Sequence, residues 1–199
     1  STMLYGPRPD NPNYLDESQP LRGHPSSRSV ANRIEAESLV AAFAERNPAL
    51  SVSVLRTCWL MGPNARGAIP RYFSPRYVPI SLGYDPLLQF VHENDAIAAF
   101  LTALREGCSG VFNVVGRGVL PLTTLLRVAG KTPVPLPRPL LSRVAPQRSG
   151  ESPDAFFDYL RYLWVGAGER GWEVFGEPHY TSREAWMSFV SEQRLRRYR

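Results

Sequence analysis

The feature that most constrains this chain is a helix that runs directly into an apolar strand. Residues 24 to 48, HPSSRSVANRIEAESLVAAFAERNP, put Val30, Ile34, Val40, Ala41 and Ala44 on one face, with Leu39 and Phe43 alongside. That repeat predicts a helix over residues 30 to 47 with one side on a core. Glu35 and Glu37 suit the positive N-terminal end of such a helix, and Asn47-Pro48 stops it. SVSVLRTCWLMGP follows. Its apolar run from Ser51 to about Leu60 predicts a strand buried on both faces, ended by Gly62-Pro63. Loop, helix and strand in this order are half of a parallel α/β unit.

The other segments extend the pattern without completing it. STMLY reads as the end of a strand, and YVPISL as an edge strand, since Pro79 cannot donate to a ladder. LLQFVH reads as a strand that feeds a helix capped by Asn94 or Asp95 and ended at Gly107. GVFNVVG is a further buried strand, LPLTTLLRVAG a helix, and residues 131 to 139 an extended Pro-rich segment. The last third is helical: SPDAFFDYLRYLWVG begins with a cap and a Pro, and Thr181 and Glu184 have the spacing of a capping box. A doubly wound sheet needs cover on both faces and strands on both sides of its centre. The strands that should lie beside Ser51–Leu60 are not in this sequence. The expectation is the second half of a larger protein, or a sheet completed by another chain, whose open edge is a template for pairing.

The 199 residues carry a formal charge of +5, nearly all of the basic side chains are Arg, and Lys131 is the one lysine. The arginines are scattered except for the tail RLRRYR, and no nucleic-acid motif accompanies them, so nucleic acid is not expected as a partner. No apolar run is long enough for a membrane span. No signal peptide is read, and Cys58 and Cys108 form no metal-ligand spacing, so the expected location is the cytoplasm. His24, His92 and His179 are too far apart in sequence to argue for a metal. GAGERG, residues 166 to 171, matches the dinucleotide fingerprint in letters only. A helix rather than a strand is predicted before it, and too few residues follow for a helix, so it is expected to be a loop.

One set of segments carries a resemblance. STMLYG, PLRGHP, RIEAE, LRTCWLMGP, FVHENDAIAAF and GVFNV occur in the order and phrasing of the extended short-chain dehydrogenase/reductase family, the NAD-dependent epimerases and dehydratases of nucleotide sugars. The resemblance covers most of residues 1 to 190. It implies an α/β fold, the C-terminal part of a Rossmann-type doubly wound parallel sheet with a smaller mixed α/β substrate-side region. The implied division is residues 1 to 63 for the end of the nucleotide-binding domain and 64 to 199 mainly for the substrate side.

It also implies roles. Ser1, four residues before the tyrosine of YG, stands at the catalytic Ser or Thr position, bonded to the reacting oxygen of the substrate. Thr57, Cys58, Trp59 and Leu60 correspond to the segment beside the nicotinamide of NAD or NADP, and His92 and Asp95 to the substrate side. Counting back from Glu37 puts Arg33 at the family's catalytic Lys and Ser29 at its Tyr. These replacements bear on chemistry. A phenol brought toward neutrality by nearby positive charge can act as acid and base; the aliphatic hydroxyl of Ser29 cannot. Arg33 keeps the charge with a different geometry. No Tyr-x-x-x-Lys occurs, the Gly-rich phosphate loop is absent, and Trp59 replaces a smaller residue. The resemblance therefore implies an epimerase, dehydratase or reductase that is incomplete or catalytically impaired in this chain. The alternative is a non-catalytic nucleotide- or protein-binding relative.

Overall fold

A computed structural model describes residues 1–144 and 152–196. The strand expected at residues 51 to 60 is two strands, β1 (Ser53–Thr57) and β2 (Trp59–Met61). β1 pairs in parallel with β6 (Gly110–Val114), and β2 pairs in parallel with β5 (Phe90–His92). The change of partner falls at Cys58, whose N–H still donates to the Val114 carbonyl. β3 (Tyr77–Ser81) pairs in parallel with β8 (Thr132–Leu136), both bearing prolines, and β4 (Leu87–Leu88) pairs antiparallel with β7 (Leu120–Pro121). The segment read as a strand end at STMLY is a 3₁₀ turn, Thr2–Tyr5. It has no strand neighbour, so its backbone closes on itself, with Leu4 N–H to Ser1 O and Gly6 N–H to Met3 O.

The helices follow the sequence closely. α1 is Arg28–Arg46, with Ser27 Oγ accepting from the Val30 N–H. α2 is Ala68–Phe73 and α3 is Glu93–Glu106, ended by Gly107 in the left-handed conformation that favours glycine. His92, not Asn94 or Asp95, caps α3 through its ring nitrogen. α4 (Leu122–Val128) and α5 (Arg138–Val144) precede α6 (Pro153–Asp158), which has the expected Ser152 cap and N-terminal Pro. α7 is Glu169–Phe175 and α8 is Ser182–Arg196. The capping box of α8 is complete: Glu184 accepts from Thr181 N–H at 2.8 Å, and Thr181 Oγ1 accepts from Glu184 N–H at 3.2 Å. GAGERG is not a plain loop, because α7 begins inside it. Gly171 lies so close to the Asn113 carbonyl that a Cβ there would sit 2.2 Å from the oxygen. Gly171 thus serves the packing of α7 on β6, while Gly168 makes room for the Trp172 ring and Gly166 lies against Thr2 and Val115.

The main core runs from Leu4, Tyr5 and Val30 through Trp59, Met61 and Phe90 to Trp186 and Val190. A smaller core joins Cys58, Val91, Ala96, Ala99, Val114 and Val115. On α1 the packing stops after its first turns, where Val30 enters the main core and Ile34 lies against it. Of the nineteen residues of α1, only Val30 is buried, while Leu39 and Phe43 are 66% and 44% exposed. The apolar face read from the sequence exists, but most of it is uncovered. β1 gives the reason, since among the described residues it has a single strand neighbour. From one face of β1, Arg56 reaches Glu37 on α1; from the other, Leu55 packs on the smaller core with α3. α3 likewise exposes Ile97, Phe100 and Leu104. The open edge of β1 is thus flanked above and below by uncovered apolar side chains. Among the described residues no helix is long and apolar enough to cross a membrane, and no three His, Cys, Asp or Glu side chains cluster as a metal site.

Candidate active site

The C-terminal end of β1, the start of β2 and the first turns of the chain and of α1 converge on a cavity of about 240 Å³. Ser1, Arg33 and all four of Thr57, Cys58, Trp59 and Leu60 line it, together with Met3, Ile69, Phe156 and Tyr159. Ser1 caps the 3₁₀ turn, its Oγ accepting from the Met3 N–H at 3.4 Å. Arg33 enters from the exposed side of α1. Ser29 lies one turn earlier, half-buried, and is not part of the lining.

His92 stands apart. Its ring is buried and stacked on Tyr180 at 3.9 Å. Nδ1 accepts from the Asn94 N–H, which leaves the proton on Nε2 to donate to Ser188 Oγ at 3.2 Å. Asp95 accepts from the His179 and Tyr180 N–H groups at 3.0 and 3.1 Å and pins the approach to α8 against α3. In this structure both side chains tie elements together.

Arg56, which precedes the lining residue Thr57 on β1, sits in a buried polar network. Arg56 Nε donates to Glu37 Oε1 at 3.0 Å, and its Nη1 donates to Tyr5 Oη at 2.8 Å and to the Glu17 carbonyl at 3.2 Å. Tyr5 Oη donates in turn to Asn113 Oδ1. The Asn113 amide nitrogen donates to the carbonyls of Leu15 and Ala167, and its backbone N–H to Glu17 Oε1. This is how a charged Arg lies inside a strand that reads as apolar: each side chain has its partner. Burial raises the Tyr5 phenol above its ordinary range, which removes it as an acid or base near neutral pH. Burial also pushes the Cys58 thiol up to about 12, so it stays protonated and is not a nucleophile.

The aromatic wall was not read from the sequence. Trp59 packs edge-on against Trp164 at 4.9 Å and over Phe90 at 6.3 Å, with its indole N–H toward Met3 Sδ. Trp59 is therefore part of the core as well as of the lining. Tyr159 brings a phenol to the cavity, but its Oη donates to the Met3 carbonyl at 2.6 Å. The signal available was the aromatic run FFDYLRYLW, which shows density of aromatics without the direction in which they point. As a cofactor cradle the described chain is partial: it offers a wall beside Thr57–Leu60, and its GAGERG glycines are taken by packing. These residues alone do not fit the phosphates of a dinucleotide.

No family model matches the chain. An uncharacterized protein of Mycobacterium tuberculosis is 34% identical over 137 residues, which are 69% of this chain and 36% of the relative. The chain thus spans about a third of the curated relatives it matches. Among solved structures, dTDP-glucose 4,6-dehydratase from Bacillus anthracis in complex with NAD has a TM-score of 0.73 at 17% identity, covering 100% of this chain and 61% of that one. UDP-glucose 4-epimerase from Thermotoga maritima with UDP-glucose has a TM-score of 0.70 at 21% identity, covering 98% and 61%. The chain has the α/β fold of these Rossmann-type proteins, over part of their length.

Proposed function

We propose that this chain is the C-terminal part of an extended short-chain dehydrogenase/reductase-type protein. The complete protein takes a nucleotide sugar or similar substrate, with its acid/base function impaired. The observation that carries this reading is the joint placement of Ser1, Arg33 and Thr57–Leu60 around one cavity, with Ser29 at the place where the resemblance calls for tyrosine. The Ser1 hydroxyl would hydrogen-bond a substrate oxygen, and Arg33 would hold a hydroxyl or an anionic group. Among the described residues that line the cavity the one phenol, Tyr159, is committed to the Met3 carbonyl. NAD or NADP belongs to this reading as the cofactor of the complete protein and would supply hydride transfer when bound. This chain would contribute only the wall beside the reactive ring. Residues 1 to 63 then close the nucleotide-binding domain, 64 to 199 form mainly the substrate side, and the protein works in the cytoplasm. His92 contributes to the substrate side through the α3 cap it makes.

The second reading is a non-catalytic nucleotide- or protein-binding relative, which the replacement of both Tyr and Lys favours. One experiment separates them. Ser29→Tyr with Arg33→Lys in the complete protein is expected to raise substrate-dependent reduction of NAD or NADP by roughly a hundredfold or more, the usual scale of a general acid/base. No gain in a variant that still binds cofactor by calorimetry would leave the binding-protein reading standing.

A further inference from the structure

Five of the arginines that look scattered in the sequence are gathered by the fold. Two clefts flank Gln193 on the C-terminal half of α8. The first, of about 270 Å³, is lined by Arg76, Lys131 and Arg194 with Ala129, Gly130, Val190 and Gln193. The second, of about 330 Å³, brings Arg66, Arg71 and Arg196. Among the described residues the two linings hold six cations and one carboxylate, Glu192, which pairs with Arg196. The excess of five equals the whole formal charge of the chain, so the remainder of the molecule is balanced. A concave site of one sign focuses the field on whatever anion enters it.

Two of the three cations of the first cleft are also held in place by hydrogen bonds. Lys131 is only 8% exposed, and its Nζ donates to the carbonyls of Ser74 and Pro75 at 2.8 and 3.3 Å. Arg194 Nη2 donates to the Ala129 carbonyl at 3.0 Å. Gln193 Nε2 donates to Ser74 Oγ and ties α8 to the same turn. Cations fixed before the ligand arrives lose less freedom on binding. The chain's single lysine is thus a compact charge at the floor of the cleft, with arginine forks at its rim, an arrangement that suits phosphate oxygens. The linings lack what a single-stranded nucleic acid would use: their one aromatic, Phe189, is buried in the core and offers no stacking face.

We propose that this double cleft is a second ligand site, separate from the candidate active site, that binds the polyphosphate group of a small molecule through Arg76, Lys131 and Arg194. It shares no lining residue with the active-site cavity, so it stands or falls independently of the function proposed above. The test is calorimetric titration of the intact chain with tripolyphosphate and, in a second arm, with ATP. One ligand per chain is expected, bound more weakly at about 0.3 M salt. Arg76→Ala with Arg194→Ala, both exposed positions, should weaken it roughly tenfold or more while thermal unfolding stays unchanged. Equal binding of the two probes assigns the site to the phosphate chain, and tighter binding of ATP adds a nucleoside contact; both support the proposal. Unaltered binding by the double variant, by Arg76→Glu alone, or a short oligonucleotide binding more tightly than tripolyphosphate would overturn it.

Discussion

The two long amphipathic helices at opposite ends of the chain have different fates. α8 buries Ser182, Ala185, Trp186, Phe189 and Val190, and lies across β5 and β2. α1 is longer, with an apolar face as regular, and buries one residue. The amphipathic pattern of α1 is no weaker than that of α8; the difference is whether a surface that covers it lies among the described residues. An amphipathic face states that a partner exists, and only the tertiary structure says whether it is present. The contrast between a covered helix and an uncovered one is measurable.

The largest effect is expected on the covered side. Trp186 is fully buried, packs on Phe73 and Phe90, and donates its indole N–H to the Leu125 carbonyl. Trp186→Ala should cost roughly 3–5 kcal/mol in chemical denaturation; a loss under about 1 kcal/mol would mean that α8 is not held as described. At the junction of the two regions, Cys58 gives an intermediate effect of pH. Its folded-state thiol ionises near 12 against an ordinary 9.0, so above pH 9 the unfolded chain releases a proton that the folded chain keeps. Stability is then intact below about pH 9 and falls as pH rises toward 12, by on the order of 1 kcal/mol at pH 10. Cys58→Ala should remove that slope in denaturation curves taken at several pH values. The smallest effect belongs to α1: Phe43→Ala should change the stability of this chain by less than about 0.5 kcal/mol. A cost several times larger would show that the face is covered in solution, and its concentration dependence would say whether a second copy covers it.

Local chemistry made much of the fold legible. The Ser152 cap, the Thr181–Glu184 capping box, the Gly107 stop and the order of helices and strands are written in residues a few positions apart. The readings that failed needed distant partners. STMLY has the composition of a strand but no neighbour to pair with. The run 51 to 60 looks continuous because no local signal marks the change of partner at Cys58. At the candidate site, Ser1, Arg33 and Thr57–Leu60 do share a cavity, because they follow one helix and the strand after it. Phe156 and Tyr159 join them from a hundred residues away, and His92 turns instead to Ser188 and Tyr180. Arg56 stands in a run that reads as apolar; its meaning lies in Glu37, Tyr5 and Glu17, each on a different segment.

Asn113 joins segments that the chain keeps far apart. One side chain and its own backbone N–H reach Tyr5, Leu15, Glu17 and Ala167, closing sequence separations of 54 to 108 residues. Each such closure costs entropy before any bond repays it, and contacts of high sequence separation slow folding. The segments around Tyr5, Leu15 and Ala167 are therefore locked together only once residues on both sides of Asn113 have been made and brought together.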